Sequence, residues 1–305
     1  YPKTASRNAS TDCCSWDGVI CDEYTNQVVL IDFSSSQFYD TMVFVWSLVL
    51  SLHFLFLYSL LSFTFTSSFS LTHPNCRQYE SHALLQFKEG FNINKTASYN
   101  PLSLAVNFLQ LKSSSLKSII HNSTKLESLL LDYVTISSSL PDKLTNLTSL
   151  KALSLSNSEL YGEFPVRIFH LPNLKFLDLR YNPNLIGRLP EFQSNSVLTK
   201  LALDETGFYG TLPVSIGKLS SLNILSIPSC HFIGYIPSSI DNLTQLIQIN
   251  LQHNKFRGDP SSSLANLTKL TLLNVGFNEF TFETISWIGE VSSIITLDIC
   301  SVNIG

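Results

Sequence analysis

The chain carries little charge. Only 14% of its 305 residues are Asp, Glu, Lys or Arg, against roughly 25% in an average soluble domain. Its 19 basic and 23 acidic residues leave a net charge of −4, which gives no electrostatic footprint for nucleic acid. Methionine occurs once, as Met42, and no Lys, Arg, Asp or Glu lies between Thr41 and Cys76. The seven histidines fall in no metal-ligand spacing. Nucleophile-elbow, phosphate-loop and kinase signatures are missing too. The expectation is therefore a protein that is no enzyme and holds no metal or cofactor. Disorder is excluded from the opposite side, because 44% hydrophobic residues can supply a core.

Leucine, serine, threonine and asparagine fill the space that charge leaves. Twelve glycines and twelve prolines punctuate the chain, which makes an internal repeat the first thing to test. The frame LxxLxL recurs every 24 residues, at Leu126, Leu150, Leu174, Leu198, Leu222, Leu246, Leu270 and Ile294. Its LxL part has a period of two and marks a short strand with one buried face. Gly162, Gly187, Gly210, Gly234 and Gly258 follow as turn residues, each with a proline close behind. A helix would have to run through glycine and proline in every unit, which excludes it. Single coils of this kind cannot bury their apolar face, whereas stacked coils share one core.

The unit LxxLxLxxNxLxGxIPxxLxxLxx resembles the plant-specific leucine-rich repeat. The resemblance covers residues 126 to 305, with weaker traces back to about Leu102. It implies an α/β repeat solenoid: a right-handed horseshoe with a parallel concave β-sheet and a second short strand from each G-x-I-P segment. The ninth residue of each unit faces inward: Val134, Ser158, Asn182, Thr206, Cys230, Asn254, Asn278 and Val302. Its polar members are expected to satisfy buried backbone groups. Cys230 and Cys300 lie three coils apart, roughly 14 Å at strand spacing, too far for a bridge. Both should stay reduced. The "RGD" at Arg257–Asp259 uses the repeat's own turn glycine and reads as structural.

The outward positions around the strands are the candidate ligand face: Asp132, Tyr133, Asp178, Arg180, Tyr181, Asp204, Glu205, Asn250, Gln252 and His253. Together they form the broad polar and aromatic surface on which repeat proteins bind partners. Sequons place candidate glycans at Asn8, Asn94, Asn122, Asn146, Asn242 and Asn266. The last four share one repeat phase, so their glycans would line one outer flank.

The stretch "TDCCSWDGVICDEYTNQVVLIDF" resembles the second half of the plant leucine-rich-repeat N-terminal cap. Its matching residues are Cys13, Cys14, Trp16, Gly18, Val19 and Cys21, with a first strand around Ile31 and Phe33. "NCRQYESHALLQFKEGFNI" resembles the first half, with Cys76 and an amphipathic helix Ala83–Phe91. In the family the first half comes first; here the order is reversed. The family pairing, carried over, implies bridges Cys14–Cys21 and Cys13–Cys76. The divisions expected are 1–41, the displaced second cap half; 42–70, an apolar helix; 71–103, the first cap half; and 104–305, the repeats. The repeats comprise seven full units from 126 and a truncated last one.

The apolar stretch has the length of a bilayer span and also the layout of a signal peptide starting at Met42. The signal peptide is the preferred reading, which makes 1–41 a piece displaced from after Ser103. The whole looks most like the ectodomain of plant receptor-like proteins of the disease-resistance class. That resemblance implies the secretory pathway, the outer face of the cell membrane, a peptide, protein or glycan ligand, and a co-receptor kinase. A secreted polygalacturonase-inhibitor-like protein, a receptor-like kinase lacking its kinase and a non-functional gene fragment are the alternatives.

Overall fold

The computed structural model describes residues 13–16, 18–25, 27–34, 84, 91–93, 109–283 and 286–304. The apolar stretch 42–70, Cys76, Asn8 and Asn94 lie outside the described residues. Among the described residues no helix is long and apolar enough to cross a membrane.

The first elements are strands β1 (Val19–Cys21), β2 (Val28–Asp32), β3 (Phe91–Ile93) and β4 (Leu109–Leu111), helix α1 (Ser113–Asn122), and strands β5 (Ser128–Leu130) and β6 (Val134–Thr135). Phe91 belongs to β3 and not to the amphipathic helix expected over Ala83–Phe91, whose other residues, Leu84 apart, lie outside the described ones. Beyond β6 the chain repeats itself. Seven more concave strands follow, at Ala152–Ser154, Phe176–Asp178, Lys200–Ala202, Ile224–Ser226, Gln248–Asn250, Leu272–Asn274 and Thr296–Asp298. With β1, β2 and β5 they form a ten-stranded sheet, antiparallel only between β1 and β2. A second parallel sheet takes one short strand from each coil between Gly162 and Ile304.

The frame residues explain this packing. Leu126, Leu129, Leu131 and their counterparts in the coils up to Val275, such as Leu222, Leu225 and Ile227, are buried, and Ile294, Leu297 and Ile299 of the last coil partly so. The eleventh position carries Phe208, Phe232, Phe256 and Phe280, all buried. Phe232, Phe256 and Phe280 stack with centroids 6.1 Å apart and rings nearly parallel. Each such ring contributes about 2–3 kcal/mol by burial. Prolines 141, 165, 213 and 237 then turn the chain into single 3₁₀ turns on the convex side, because their fixed φ suits a helix start.

The inward ninth position works as a hydrogen-bond ladder. Asn182 is fully buried. Its Oδ1 accepts from Ser158 N (3.1 Å) and Leu160 N (2.9 Å), while its Nδ2 donates to the carbonyls of Leu155 and Leu179 (both 2.9 Å). Asn254 and Asn278 make equivalent bonds. Ser158, Thr206 and Cys230 each donate to a strand carbonyl. Cys230 and Cys300 are both free thiols, and burial pushes the Cys230 pKa up.

The coil before Leu126 is assembled differently. Its concave strand is β2, which pairs with β5 in the register Leu30↔Ser128 and Asp32↔Leu130. Val28, Ile31 and Phe33 are buried and continue the Leu126, Leu129 and Leu131 columns. The backbone bonds match too: Phe33 N donates to Leu130 O as Leu131 N donates to Ser154 O. The outer half of the same coil comes from β4, which pairs with β6, and from α1, which buries Leu116, Ile119 and Ile120. One coil is thus built from two distant pieces of chain. The Cys14–Cys21 disulfide ties the 3₁₀ turn that precedes β1 to the end of β1. The approach into β1 needs Gly18 at φ +79°, where a Cβ would lie 2.1 Å from the Asp32 carbonyl oxygen.

Candidate ligand-binding face

The concave sheet offers its side chains at the third, fifth, seventh and eighth positions of each coil. At the eighth, the chain leaves the strand with a left-handed residue in every coil: Tyr133, Asn157, Tyr181, Glu205, Ser229, His253, Phe277 and Ser301, with φ between 51° and 60°. None is glycine, so each carries local strain. An inter-coil bond helps hold the turns from Tyr133 to Phe277. Tyr133 N donates to Ser156 O, Asn157 N to Arg180 O and Tyr181 N to Asp204 O, all at 2.8 Å. The result is a column of side chains along one rim of the concave surface.

The expected site residues fall into two groups. The first surrounds Asp178, which is 1% exposed and engaged from both sides. Arg180 Nε donates to its Oδ1 (2.8 Å) and Oδ2 (3.0 Å), and Lys200 Nζ to Oδ2 (3.1 Å). Asp178 therefore holds cations in place rather than facing a ligand. Arg180 projects a half-exposed guanidinium beside the exposed ring of Tyr181, 5.9 Å away. Burial opposes its charge, but the bonds and field of Asp178, with Asp204 behind them, outweigh this and push the pKa up.

Asp132 and Asp204 flank that pair. Burial raises the pKa of Asp132, against bonds from Ser154, Ser156 and Ser34. Burial raises that of Asp204 as well, against a bond from Ser226 and the charge of Arg180. Glu205 beside it is exposed.

The second group lies three coils further on. Asn250 accepts from the Gln252 amide (3.2 Å), and Gln252 Oε1 accepts from Asn274 Nδ2 (3.0 Å). His253 stacks on Phe277 with ring centroids 4.3 Å apart. Phe277 is 43% exposed and was absent from the expected face. Its signal was present, since it occupies the phase of Tyr133, Tyr181 and His253. Lys200, at the third position over the ring of Phe176 (4.4 Å), was missed as well. Only the stacking of one coil on the next brings it to Asp178.

Other singled-out features serve the framework. Asp259 of the "RGD" accepts from Ser261 N (2.8 Å) and Glu283 N (3.0 Å), so it ties one coil to the next. Cys13, Cys14 and Cys21 come within metal-ligand reach of one another, but disulfide bonding occupies all three thiols. Asn146, Asn242 and Asn266 are exposed and Asn122 is half-buried. All four sit at or beside the convex turns, away from the concave sheet.

Two sheets of parallel repeat strands, a polar inward ladder and a disulfide-bonded segment leading into the first hairpin define a plant-type leucine-rich-repeat solenoid. A model described as Leucine rich repeat N-terminal domain matches residues 6–22 and 77–103, and one described as Leucine Rich Repeat matches 245–267. The chain is therefore a plant leucine-rich-repeat protein, and its relatives are receptor-like proteins. Receptor-like protein 6 of Arabidopsis thaliana is 33% identical over 243 residues, covering 74% of this chain and 24% of that protein. Receptor-like protein Cf-9 of Solanum pimpinellifolium is 62% identical over 37 residues, 12% of this chain and 4% of its own. Among solved structures, the ectodomain of the Arabidopsis thaliana membrane receptor kinase GASSHO1/SCHENGEN3, in complex with CASPARIAN STRIP INTEGRITY FACTOR 2, is 28% identical with a TM-score of 0.53. It covers 62% of this chain and 25% of that one. The chain thus spans about a quarter of the length of Receptor-like protein 6.

Proposed function

We propose that this chain is the ligand-recognition part of a plant cell-surface receptor-like protein that acts in defence by recognition rather than catalysis. The single observation that carries the reading is the rim column of left-handed residues. It presents Tyr181, Glu205, His253 and Phe277 in register beside the Arg180–Asp178–Lys200 cluster. Strained side chains held outward along several coils suit an extended ligand, with each coil contributing one contact. An extracellular peptide or the exposed strand of a protein fits this surface best, and a co-receptor kinase would carry the signal onward. The resemblance adds a secretory route, glycans at the sequons on the convex turns and a position outside the cell membrane.

The test is selection of a random peptide library against the displayed full chain. Enriched peptides should lose binding to an Arg180→Ala, Tyr181→Ala, His253→Ala, Phe277→Ala variant whose melting temperature matches the parent. Peptides that bind both proteins equally would sink the reading.

A further inference from the structure

The outer side of the second sheet is patterned as well. Along Gly207–Gly210, His231–Gly234 and Lys255–Gly258 the phenylalanines point inward and their neighbours point out. Successive strands pair with a slip of two positions, as in Tyr209↔His231 and Ile233↔Lys255. The slip sets the fourteenth residue of one coil beside the twelfth of the next. Arg188 thereby meets Tyr209, its guanidinium carbon 4.5 Å from the ring centre, and Tyr235 meets Arg257 at 5.1 Å. Ile233, 48% exposed, stands between the two stacked pairs.

These cations differ from those of the concave sheet, where Arg180 and Lys200 share Asp178. Among the described residues no carboxylate forms an ion pair with Arg188, Lys255 or Arg257. Glu279 stands opposite Arg257 in the register, yet the guanidinium lies over Tyr235 on the other side. Asp259 is already bonded to Ser261 N and Glu283 N. A guanidinium resting on a ring is held in place while its N–H fork stays open to a carboxylate. Tyr and Arg are also the residue types that dominate protein interfaces. None of the sequon asparagines belongs to these strands.

We propose that this outer face docks an extended acidic segment of a partner protein, with carboxylates on Arg188 and Arg257 and apolar side chains on Ile233. Charge complementarity carries the choice of partner, because open cations gather here on a chain whose net charge is −4. An acidic polysaccharide fits less well, since each arginine covers a tyrosine face that a sugar would need for stacking. The two arginines lie three strands apart and four residues along. That is roughly 20 Å at the usual strand spacing and rise, the reach of about six extended residues. The segment therefore carries its two acids about six positions apart, with apolar residues at the even positions between. Nothing in this docking depends on the concave face.

The probe is a fluorescent peptide, Glu-Ser-Leu-Ser-Leu-Ser-Glu, titrated with the full chain and followed by anisotropy. It should bind, and binding should weaken as salt rises. Arg188→Ala with Arg257→Ala should weaken it at least about tenfold. Both side chains are exposed, so the variant should keep the parent's melting temperature. The variant carrying the four concave substitutions named above should bind the peptide as the parent does. No binding, equal binding of the peptide with lysine in place of both glutamates, or an unchanged affinity in the double arginine variant would each overturn the proposal. So would loss of binding in the concave variant, or tighter binding of a linear oligouronate than of the peptide. If the peptide binds here while the library selection fails, the docking face stands and only the concave reading falls.

Discussion

Two parts of this solenoid reach the same geometry by different routes. The coils from Leu150 onward are each made from consecutive residues, whereas the coil before Leu126 joins β2 to β4 and α1 from far along the chain. Both place strands in the same register and make the same inter-coil backbone bonds. What positions a coil is therefore its neighbour's surface, and chain continuity is dispensable. That is the behaviour expected of a stack in which each unit touches only the next. The coils differ in what lies beneath the strands. The middle ones carry a polar ladder, while the Leu126 coil has the apolar Val134 at that position.

The largest effect should come from the ladder. Asn182→Ala removes a buried amide and leaves two backbone N–H groups and three carbonyls without it, and should cost about 3 kcal/mol. Val134→Ala, at the same position two coils earlier, should cost only about 1 kcal/mol. Denaturant midpoints of the two variants measure the contrast, and equal losses would erase it. Next comes Ile31→Ala, expected to weaken hairpin docking by about 2 kcal/mol. Because the coil is composite, hydrogen-exchange protection should fall at the Phe33 and Glu127 amides and persist from Leu150 to Phe282. Loss of protection everywhere would mean the hairpin is integral to the stack.

The smallest effect concerns pH. Asp132 and Asp204 have pKa values raised by burial above the ordinary 3.8. Such a group binds its proton more tightly folded than unfolded. Its contribution is full below 3.8 and is lost as the pH rises through the raised value. Asp204→Asn should therefore raise the melting temperature at pH 7 and change it little at about pH 3. A fall at pH 7 would refute this account.

Much of the fold was legible because the inward leucines leave no freedom of phase, so Leu126 and its seven successors mark eight of the ten strands of the concave sheet. The ladder was legible for the same reason, as a polar residue in an apolar column has one plausible use. The site was less so. Asp178 read as a ligand contact because its phase is right, but its burial depends on Lys200 from the next coil, which no local pattern reports. Phe277 was passed over because an aromatic reads first as core. The adjacency of β2 and β5 was hidden by the intervening stretch.

That adjacency has a consequence in time. Ser34 meets Asp132 across 98 residues, whereas Lys151 meets Glu127 across 24. Closing the longer loop costs about 1 kcal/mol more entropy, and contacts of long separation form slowly. The repeats should zip together first and the hairpin arrive last. Until it does, β5 presents an unpaired edge, so a newly made chain is most vulnerable to wrong partners in that interval.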